Sequence, residues 1–490
     1  MRRLASFFLV VGLFFPVGWL SGPPVMAQSC QDFAERQVAL SEKQLDRDNF
    51  SAALRVMNVA LSNDCRIPVV ENQVADVLEA WYEDARNRGS TRQMKDVIRA
   101  VSAQDGLSAD DRSELQARIR ATIEAQITDA FRAGDARRTH SLCRTYDAYS
   151  DRTFALNRAC GQSAREAGAL NAAIERYEAL LADWSTDQSA LTRKEAYEEL
   201  KALYLITTRF DRGFQTAKRL AQQDPTTDNL LASLTAVRGR YLEPIARVAR
   251  ALFDGSVPDA ARQHVRREFG TVQFPPYVQA IYTLDASGAP AYAFTGESSV
   301  SPPSSFLLQR GAGPVSLLLA DAADRAWLLA RTDGGAFVIQ FNRQTTPAEN
   351  VILEGLLEDA QNDNRWASLY EREFAATAPA TGSAVATMLG GAYLSAVPTG
   401  EFAEVFDAVS LLTYHCIQDR SGSIAISHGF SRDDIQYESG VWDRTSETPA
   451  LFHHAVTYKN ASVREVVWPI YDGEQWSGVV RVGIAEPSPS

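Results

Sequence analysis

The spacing of apolar residues changes near residue 270, and this change constrains the fold more than any other feature of the 490-residue chain. From about Gln31 to Pro225, apolar residues and alanines recur three and four positions apart, which predicts consecutive amphipathic helices. Beyond the change, short apolar runs alternate with period two and are separated by turns that contain Asp and Gly. We therefore expect an α+β chain in which a helical half precedes a half made of antiparallel sheets.

One short pattern recurs in the helical half: a tight turn with a small residue, then alanines, then an aromatic residue. It is clearest where Ala167–Leu170 separates two amphipathic runs, and Asn171–Leu181 then carries two alanines before Tyr177. Small side chains let antiparallel helices approach closely, and the aromatic ring fills the groove between them. The spacing of the related turns fits a period of about 34 residues and its multiples. These turns lie in Leu45–Leu54, Phe131–Arg138 and Thr208–Phe214.

At these residues the helical half resembles the tetratricopeptide-repeat family. Ala172 and Ala173 match its small-residue positions, and Tyr177 matches its aromatic position. Pro225 matches the proline that ends a repeat, which the first and third copies lack. The resemblance implies a solenoid of helical hairpins over residues 28–231 that binds a protein partner, but it does not name the partner.

Two modules of one design, which we call the first and second sheet modules, follow in the sheet half. Each contains a leading helix, a strand, an Asp-x-Ser-Gly turn, a returning strand, a crossing segment and a closing hairpin. The turns are Asp285–Gly288 and Asp419–Gly422, where Asp can accept backbone hydrogen bonds and Gly allows positive φ. We interpret the two sheet modules, at 232–345 and 346–490, as an internal duplication. The small-residue stretch Ala375–Ala384 fits either a loop or the start of a loosely packed helix.

The closing hairpin of the second sheet module, Val463–Ile484, resembles that of the Cache sensor family, whose members have a PAS-like fold. Pro469–Tyr471, a turn, and Gly478–Gly483 follow its "P-I-Y, turn, G-V-V-R-V-G" pattern, and Leu411–Gly422 resembles its opening strand and turn. The first sheet module matches this family only faintly. The resemblance implies antiparallel sheets that curl around a small-molecule pocket. Family members usually sit between membrane helices and feed a cytoplasmic kinase or chemoreceptor. This sequence has neither, so we expect a signal to pass through a second protein.

The first residues have the pattern of an export signal. Arg2 and Arg3 precede an apolar block, Phe7 to Phe15, and small residues end at Ala27. Because this block is too short for a membrane span, we expect residues 1–27 to be a signal peptide cleaved after Ala27, rather than an anchor. No later stretch predicts a membrane span. We accordingly place the protein in the periplasm of a Gram-negative bacterium or outside the cell.

Charge and cysteine content agree with this placement. The net charge of -12 repels phosphate backbones, so we expect no binding to nucleic acid. Export permits disulfides. Cys30 opens one predicted helical hairpin and Cys65 closes it, while Cys143 ends and Cys160 begins neighbouring predicted helices, so both pairs are candidate disulfides. Cys416 is left in a strand pattern, where we predict a buried free thiol.

No arrangement of residues predicts catalysis. The sequence lacks a G-x-S-x-G elbow, a glycine-rich phosphate loop, a C-x-x-C pair and a spaced set of metal ligands. The adjacent His453 and His454 lie on a predicted strand and would point to opposite faces. We therefore expect no enzyme activity, no cofactor and no metal site.

We place the predicted ligand pocket in the second sheet module, residues 346–490. Aromatic side chains would supply its apolar walls, and Arg464 could pair with a carboxylate on the ligand. Alternation puts Arg464 on one strand face with Trp468, where it is either a ligand clamp or a surface charge on an apolar stem. The candidate residues are Tyr414, Trp442, His453, Arg464, Trp468 and Tyr471.

These patterns favour an exported, non-catalytic adaptor in which a sheet module binds a small molecule and the helical repeats bind a protein. The alternative is a ligand-independent scaffold in the assembly of an envelope complex. An enzyme hidden in the sheet half is the least favoured reading.

Overall fold

In the computed structural model, helices fill the first half of the chain and two antiparallel sheets follow, as the change in periodicity predicts. The contacts divide the chain into two compact units, Met1–Ala130 with Ser141–Asp151 and Phe131–His140 with Arg152–Ser490. The domain boundaries after residues 27, 231 and 345 rest on sequence patterns and stay predictions. The structure describes residues 25–147, 153–182, 190–253, 258–295, 313–320, 325–343, 345–397, 400–409, 411–436, 452–472 and 474–486.

The first unit is built from helical hairpins. Its helices are α1 (Val25–Leu45), α2 (Phe50–Ser62), α3 (Pro68–Asn87), α4 (Thr91–Ala103), most of α5 (Ala109–Arg132) and the end of α6 (Ala136–Tyr146). The Ser90 hydroxyl accepts a hydrogen bond from the Gln93 amide at 3.3 Å and caps α4. One face of α4 is buried, as its spacing of three and four requires. That face consists of Met94, Val97, Ile98 and Val101.

Four of the five cysteines form disulfides, as predicted. Cys30 is bonded to Cys65, with their Cα atoms 5.6 Å apart, and this bond ties α1 to the end of α2. Cys143 and Cys160 are also in the disulfide form. Cys416 is buried and lies outside the disulfides.

The second unit continues with more helices. A Cβ added at Gly161, in the first of these helices, would lie 3.1 Å from the Tyr177 ring, so this helix packs closely against the predicted aromatic position. These helices are α7 (Phe154–Glu166), α8 (Leu170–Ala182), α9 (Ala190–Ile206), α10 (Phe210–Gln223), α11 (Thr227–Phe253), α12 (Asp259–Glu268), α13 (Pro347–Glu358), α14 (Asp363–Leu394) and α15 (Gly400–Ala408). Among the helices that the structure describes, none is long and apolar enough to cross a bilayer.

Two sheets complete the second unit. Sheet A contains β1 (Val278–Asp285), β2 (Pro290–Thr295), β3 (Val315–Ala320), β4 (Arg325–Thr332) and β5 (Gly335–Asn342), in the order β2-β1-β5-β4-β3. Sheet B contains β6 (Leu412–Asp419), β7 (Ile424–His428), β8 (Ile435–Gln436), β9 (Phe452–Tyr458), β10 (Ala461–Asp472) and β11 (Gln475–Ala485), in the order β7-β6-β11-β10-β9-β8. Apart from the two-residue edge strand β8, both sheets share one strand order, as an internal duplication requires.

The first turn of each sheet has the predicted features: the Asp carboxylate accepts backbone hydrogen bonds and the Gly has a positive φ. Oδ1 of Asp285 accepts bonds from the Ser287 amide at 2.8 Å and the Ser287 hydroxyl at 2.6 Å. Asp419 makes the same two bonds to Ser421, at the same distances. The closing glycine of each turn has φ near +80°, at +83° in sheet A and +81° in sheet B.

Two long helices lie between the sheets. Helix α11 packs on sheet A, α14 packs on sheet B, and the two helices pack on each other. Ala375–Ala384 lies in the middle of α14, so the loop alternative for this stretch is wrong. Its small residues serve close packing, because α14 is buried on nearly all sides from Thr377 to Ala392. Helices α13 and α14 are separate, because the chain is not helical between Glu358 and Asp363.

Candidate functional site

The face of sheet A that points away from α11 forms a small core of its own, which we call the outer face of sheet A. Alternation along the strands separates it from the face that packs on α11. In the strand register, Tyr282 lies opposite Val338, and Trp327 lies opposite Gln340. Most of the cluster is aliphatic or aromatic. Its members are Ala280, Tyr282, Leu284, Leu318, Trp327, Leu329, Ala336 and Val338.

Four polar atoms on this outer face are buried, and none of them makes a hydrogen bond of ordinary distance and angle with a described residue. They are Tyr282 Oη, Ser316 Oγ, Trp327 Nε1 and Gln340 Oε1. Their residues are at most 5% exposed. Leaving a buried polar group unpaired costs about 1–3 kcal/mol, and nearly all such groups in native proteins have a partner. A ligand or an ordered water that bonds to these atoms would therefore be held strongly.

The polar atoms of Tyr282 and Trp327 lie near each other. Burial raises the pKa of Tyr282 to about 12, while the indole N–H of Trp327 acts in the opposite direction. The phenol is therefore neutral at physiological pH and can donate or accept a hydrogen bond. Beside them, Gln340 Nε2 donates to Gln279 Oε1 at 2.9 Å, which leaves Gln340 Oε1 as an acceptor. The outer face of sheet A thus offers apolar walls with donors and an acceptor.

The equivalent face of sheet B differs, because its buried polar groups bond to one another. Arg481 Nη1 donates to Glu465 Oε2 at 3.0 Å, and Arg481 Nε donates to Gln418 Oε1 at 3.3 Å. The Tyr414 hydroxyl donates to Glu465 Oε1 at 3.1 Å. All four side chains are fully buried. This sheet B network pairs its own charges, so it has less to gain from a charged ligand.

The structure brings together few of the predicted site residues. Tyr414 belongs to the sheet B network. Arg464 lies on the other face of β10, in register with Ile484, and pairs with Glu486 at 3.3 Å. Trp468 packs against the core beside α14, and so lies on that face too.

Three predicted candidates remain. Tyr471 follows an irregularity in the pairing of β10 with β11 and is half-buried. His453 lies in β9 opposite Val466. Trp442 lies outside the described residues. The prediction thus followed the face of β10 that packs on α14, whereas the buried polar network lies on the opposite face.

Sequence reasoning missed Arg481, Glu465 and Gln418 in sheet B. The signal for Arg481 was available, because an arginine inside the apolar run of β11 must be paired when that strand is buried. It also missed the outer face of sheet A, because Tyr282 and Trp327 fit an ordinary apolar strand.

One histidine pair lies at the edge of sheet B beside α15. His415 is 1% exposed, and neither ring nitrogen has a hydrogen-bond partner among the described residues. Its ring lies 4.4 Å from that of Phe406 and stacks 5.9 Å from that of His428, centroid to centroid. Burial lowers the pKa of His415 to about 4, so it is neutral at physiological pH. Within the described residues, no three His, Cys, Asp or Glu side chains converge on a possible metal site.

A groove of about 510 Å³ lies among α7, α8 and α9. Its α7 wall carries Arg158 and Arg165, and its α9 wall carries Glu195 and Glu199. Arg158 pairs with Glu195 at 3.1 Å, and Arg165 pairs with Glu199. Exposed ion pairs of this kind contribute about 0–1 kcal/mol each, so a partner could displace them at little cost.

Comparisons with known proteins add little. No protein-family model matches the chain, and no curated protein matches it in sequence. Among solved structures, the TPR domain of P58(IPK) aligns with 49% of this chain and 69% of its own length, at 12% identity and a TM-score of 0.21. A similarity at that level carries no argument about fold or function.

Proposed function

We propose that this protein is an exported, non-catalytic adaptor that binds an uncharged small molecule on the outer face of sheet A and a protein partner through its helical repeats. The observation that carries the ligand proposal is a set of four buried polar atoms on an otherwise apolar face, none with a well-formed hydrogen bond to the part of the chain that the structure describes. Ligand sites typically combine apolar walls with a few converging polar groups. The four disulfide-bonded cysteines fit an oxidising compartment outside the cytoplasm.

The proposed ligand differs from the one that the sequence led us to expect. A carboxylate was expected because of Arg464, but this side chain pairs with Glu486. The buried arginine of sheet B, Arg481, is bonded to Glu465 and Gln418. The outer face of sheet A offers an indole N–H, two hydroxyls and an amide oxygen. This favours a compact, largely apolar molecule with at least one hydrogen-bond acceptor and one donor.

A thermal-shift screen of the full chain against neutral heterocycles, amides, amino acids and carboxylates tests the ligand proposal. A ligand that binds only the native state must raise the melting temperature. We expect a neutral compound to stabilise the wild type, and Tyr282→Phe or Trp327→Phe to weaken its binding about 3- to 10-fold, the worth of one hydrogen bond. Tyr292→Phe, on the opposite face of sheet A, is the matched control. Failure of every compound, or a shift that neither site variant alters, would count against the site.

The protein partner is proposed to contact the groove among α7, α8 and α9. A photo-crosslinking amino acid at Gln162, in the groove, should capture one defined protein in cells of the native host. The same amino acid at the exposed Glu175, on α8 but outside the groove lining, is the control. Equal capture from both positions would argue against the groove.

A ligand-independent scaffold is the second candidate. The closed sheet B network favours it, because a self-satisfied polar face stabilises a fold without any ligand. If this alternative is correct, a partner complex will form equally well with wild-type protein and with Trp327→Phe, whatever small molecule is added.

A further inference from the structure

A buried cluster of three charged side chains joins α11, α13 and α14, and the ligand proposal does not use it. Arg238 on α11 donates from Nη2 to Glu349 Oε1 at 2.9 Å and from Nε to Glu373 Oε2 at 3.1 Å. Its Nη1 donates to the Asn342 carbonyl at 3.1 Å, and its guanidinium lies 4.1 Å from the centroid of the Tyr277 ring. Arg238 and Glu373 are fully buried, and Glu349 is 3% exposed.

The charges of this cluster do not balance if both carboxyl groups are ionised. The titratable groups that face Glu373 from the described elements are Arg238 on α11, Glu349 on α13 and Tyr277 just before β1. Burial raises the pKa of Tyr277 far above neutrality, so it carries no charge. One guanidinium would then face two carboxylates, and a buried excess charge is costly.

The contacts show which carboxyl group holds a proton more easily. Glu349 lies at the start of α13, where its carboxylate accepts hydrogen bonds from the Thr346 backbone N–H of the capping box and from Arg238 Nη2. Glu373 Oε1 has no hydrogen-bond partner in the described part of the chain. Burial and the neighbouring Glu349 raise the pKa of Glu373 to about 8. Burial acts against ionisation of Glu349 too, but its hydrogen bonds and Arg238 lower its pKa to about 2.

We propose that Glu349 and Glu373 together hold one proton at neutral pH, and that loss of this proton in alkali releases α13 from α11 and α14. Helix α13 is the element that can move, because it has only 12 residues and buries few side chains. Its first turn depends on Glu349, which serves the cap and the ion pair at once. Repulsion between two ionised carboxylates therefore acts directly on the start of α13.

Infrared spectroscopy of the full chain tests the shared proton directly. We expect a protonated-carboxyl stretch in the wild type at pH 7 that disappears on alkaline titration, and no such stretch in Glu373→Gln. Glu349→Gln should also lack it, because Glu373 can then ionise against Arg238 alone. Glu354→Gln, at an exposed position of α13, is the control and should keep it. A wild-type spectrum without this stretch at pH 7 would overturn the proposal, even if no variant folds.

Hydrogen exchange, corrected for the intrinsic effect of pH, tests the release of α13. In the wild type, protection of residues 347–358 should fall selectively between pH 7 and pH 9.5. In Glu373→Gln, which keeps the neutral form at every pH, protection should stay constant. An equal loss in wild type and Glu373→Gln, or no loss in either, would contradict the release.

Discussion

At the residue scale, buried polar side chains have different consequences in the two sheets. On the outer face of sheet A, buried polar atoms lack well-formed hydrogen bonds to the described residues, whereas the sheet B network pairs each ion with its neighbours. The sequence could not distinguish these cases. A tyrosine or an arginine within an apolar strand has the same pattern whether its partner is a ligand, another strand or solvent.

The ion pair in the sheet B network should be costly to break and much less costly to replace. Arg481→Met alone leaves Glu465 buried without its cation, and we expect it to destabilise the protein by about 3–5 kcal/mol. Arg481→Met with Glu465→Leu removes both charges and should recover most of that loss. Urea unfolding measures both variants. A double variant as unstable as the two single variants combined would contradict the buried pair.

His415 should make the protein sensitive to acid. Burial lowers its pKa to about 4 from an ordinary 6.5, so between these values the unfolded chain binds a proton that the folded chain does not. Stability should then fall as pH drops through this window, by about 1.4 kcal/mol per pH unit from this group. His415→Leu should reduce that slope in urea unfolding measured at pH 7, 6 and 5. An unchanged slope in the variant would show that another group is responsible.

At the scale of elements, patterns local in sequence predicted structure well. The two Asp-x-Ser-Gly turns and the hairpin that ends at β11 have the expected structure, because their pairings join residues close in sequence, 2 to 4 positions apart in the turns and at most 22 across the hairpin. The Ala375–Ala384 stretch could not be resolved from sequence. Its small residues allow a loop equally well, and only contact with α11 and sheet B makes them part of α14.

The packing of α14 on sheet B can be tested with two glycines of the same helix. A Cβ at Gly382 would lie 2.3 Å from a methyl carbon of Val466, a stiff side chain in a buried strand, so Gly382→Ala should cost about 1–3 kcal/mol. A Cβ at Gly390 would make only ordinary contacts, from 3.5 Å. Gly390→Ala should be neutral or stabilising by up to about 1 kcal/mol. Thermal unfolding compares them, and equal effects would contradict the packing described.

At the scale of the whole molecule, the sequence predicted the order of helices and sheets and the repeated sheet topology. It could not predict the layering of α11 and α14 between the sheets, since the contacts that join the two helices link residues more than a hundred positions apart.

The two compact units should respond separately to loss of the first disulfide. The Cys30–Cys65 bond lies in the first unit and closes a loop of 35 residues, for which chain entropy gives about 3–4 kcal/mol. Replacing both cysteines with serine should lower hydrogen-exchange protection in α1, α2 and α3 and leave α11 and α14 unchanged. Uniform loss across the chain would contradict independent units.

The proposed function depends most on a ligand that occupies the outer face of sheet A. The most direct measurement is a crystal structure of the full chain with the compound that stabilises it most. We predict density for that compound against Val338, within hydrogen-bond distance of Tyr282 and Trp327. Density only on sheet B or at the helical groove, with none on the outer face of sheet A, would contradict the proposed function.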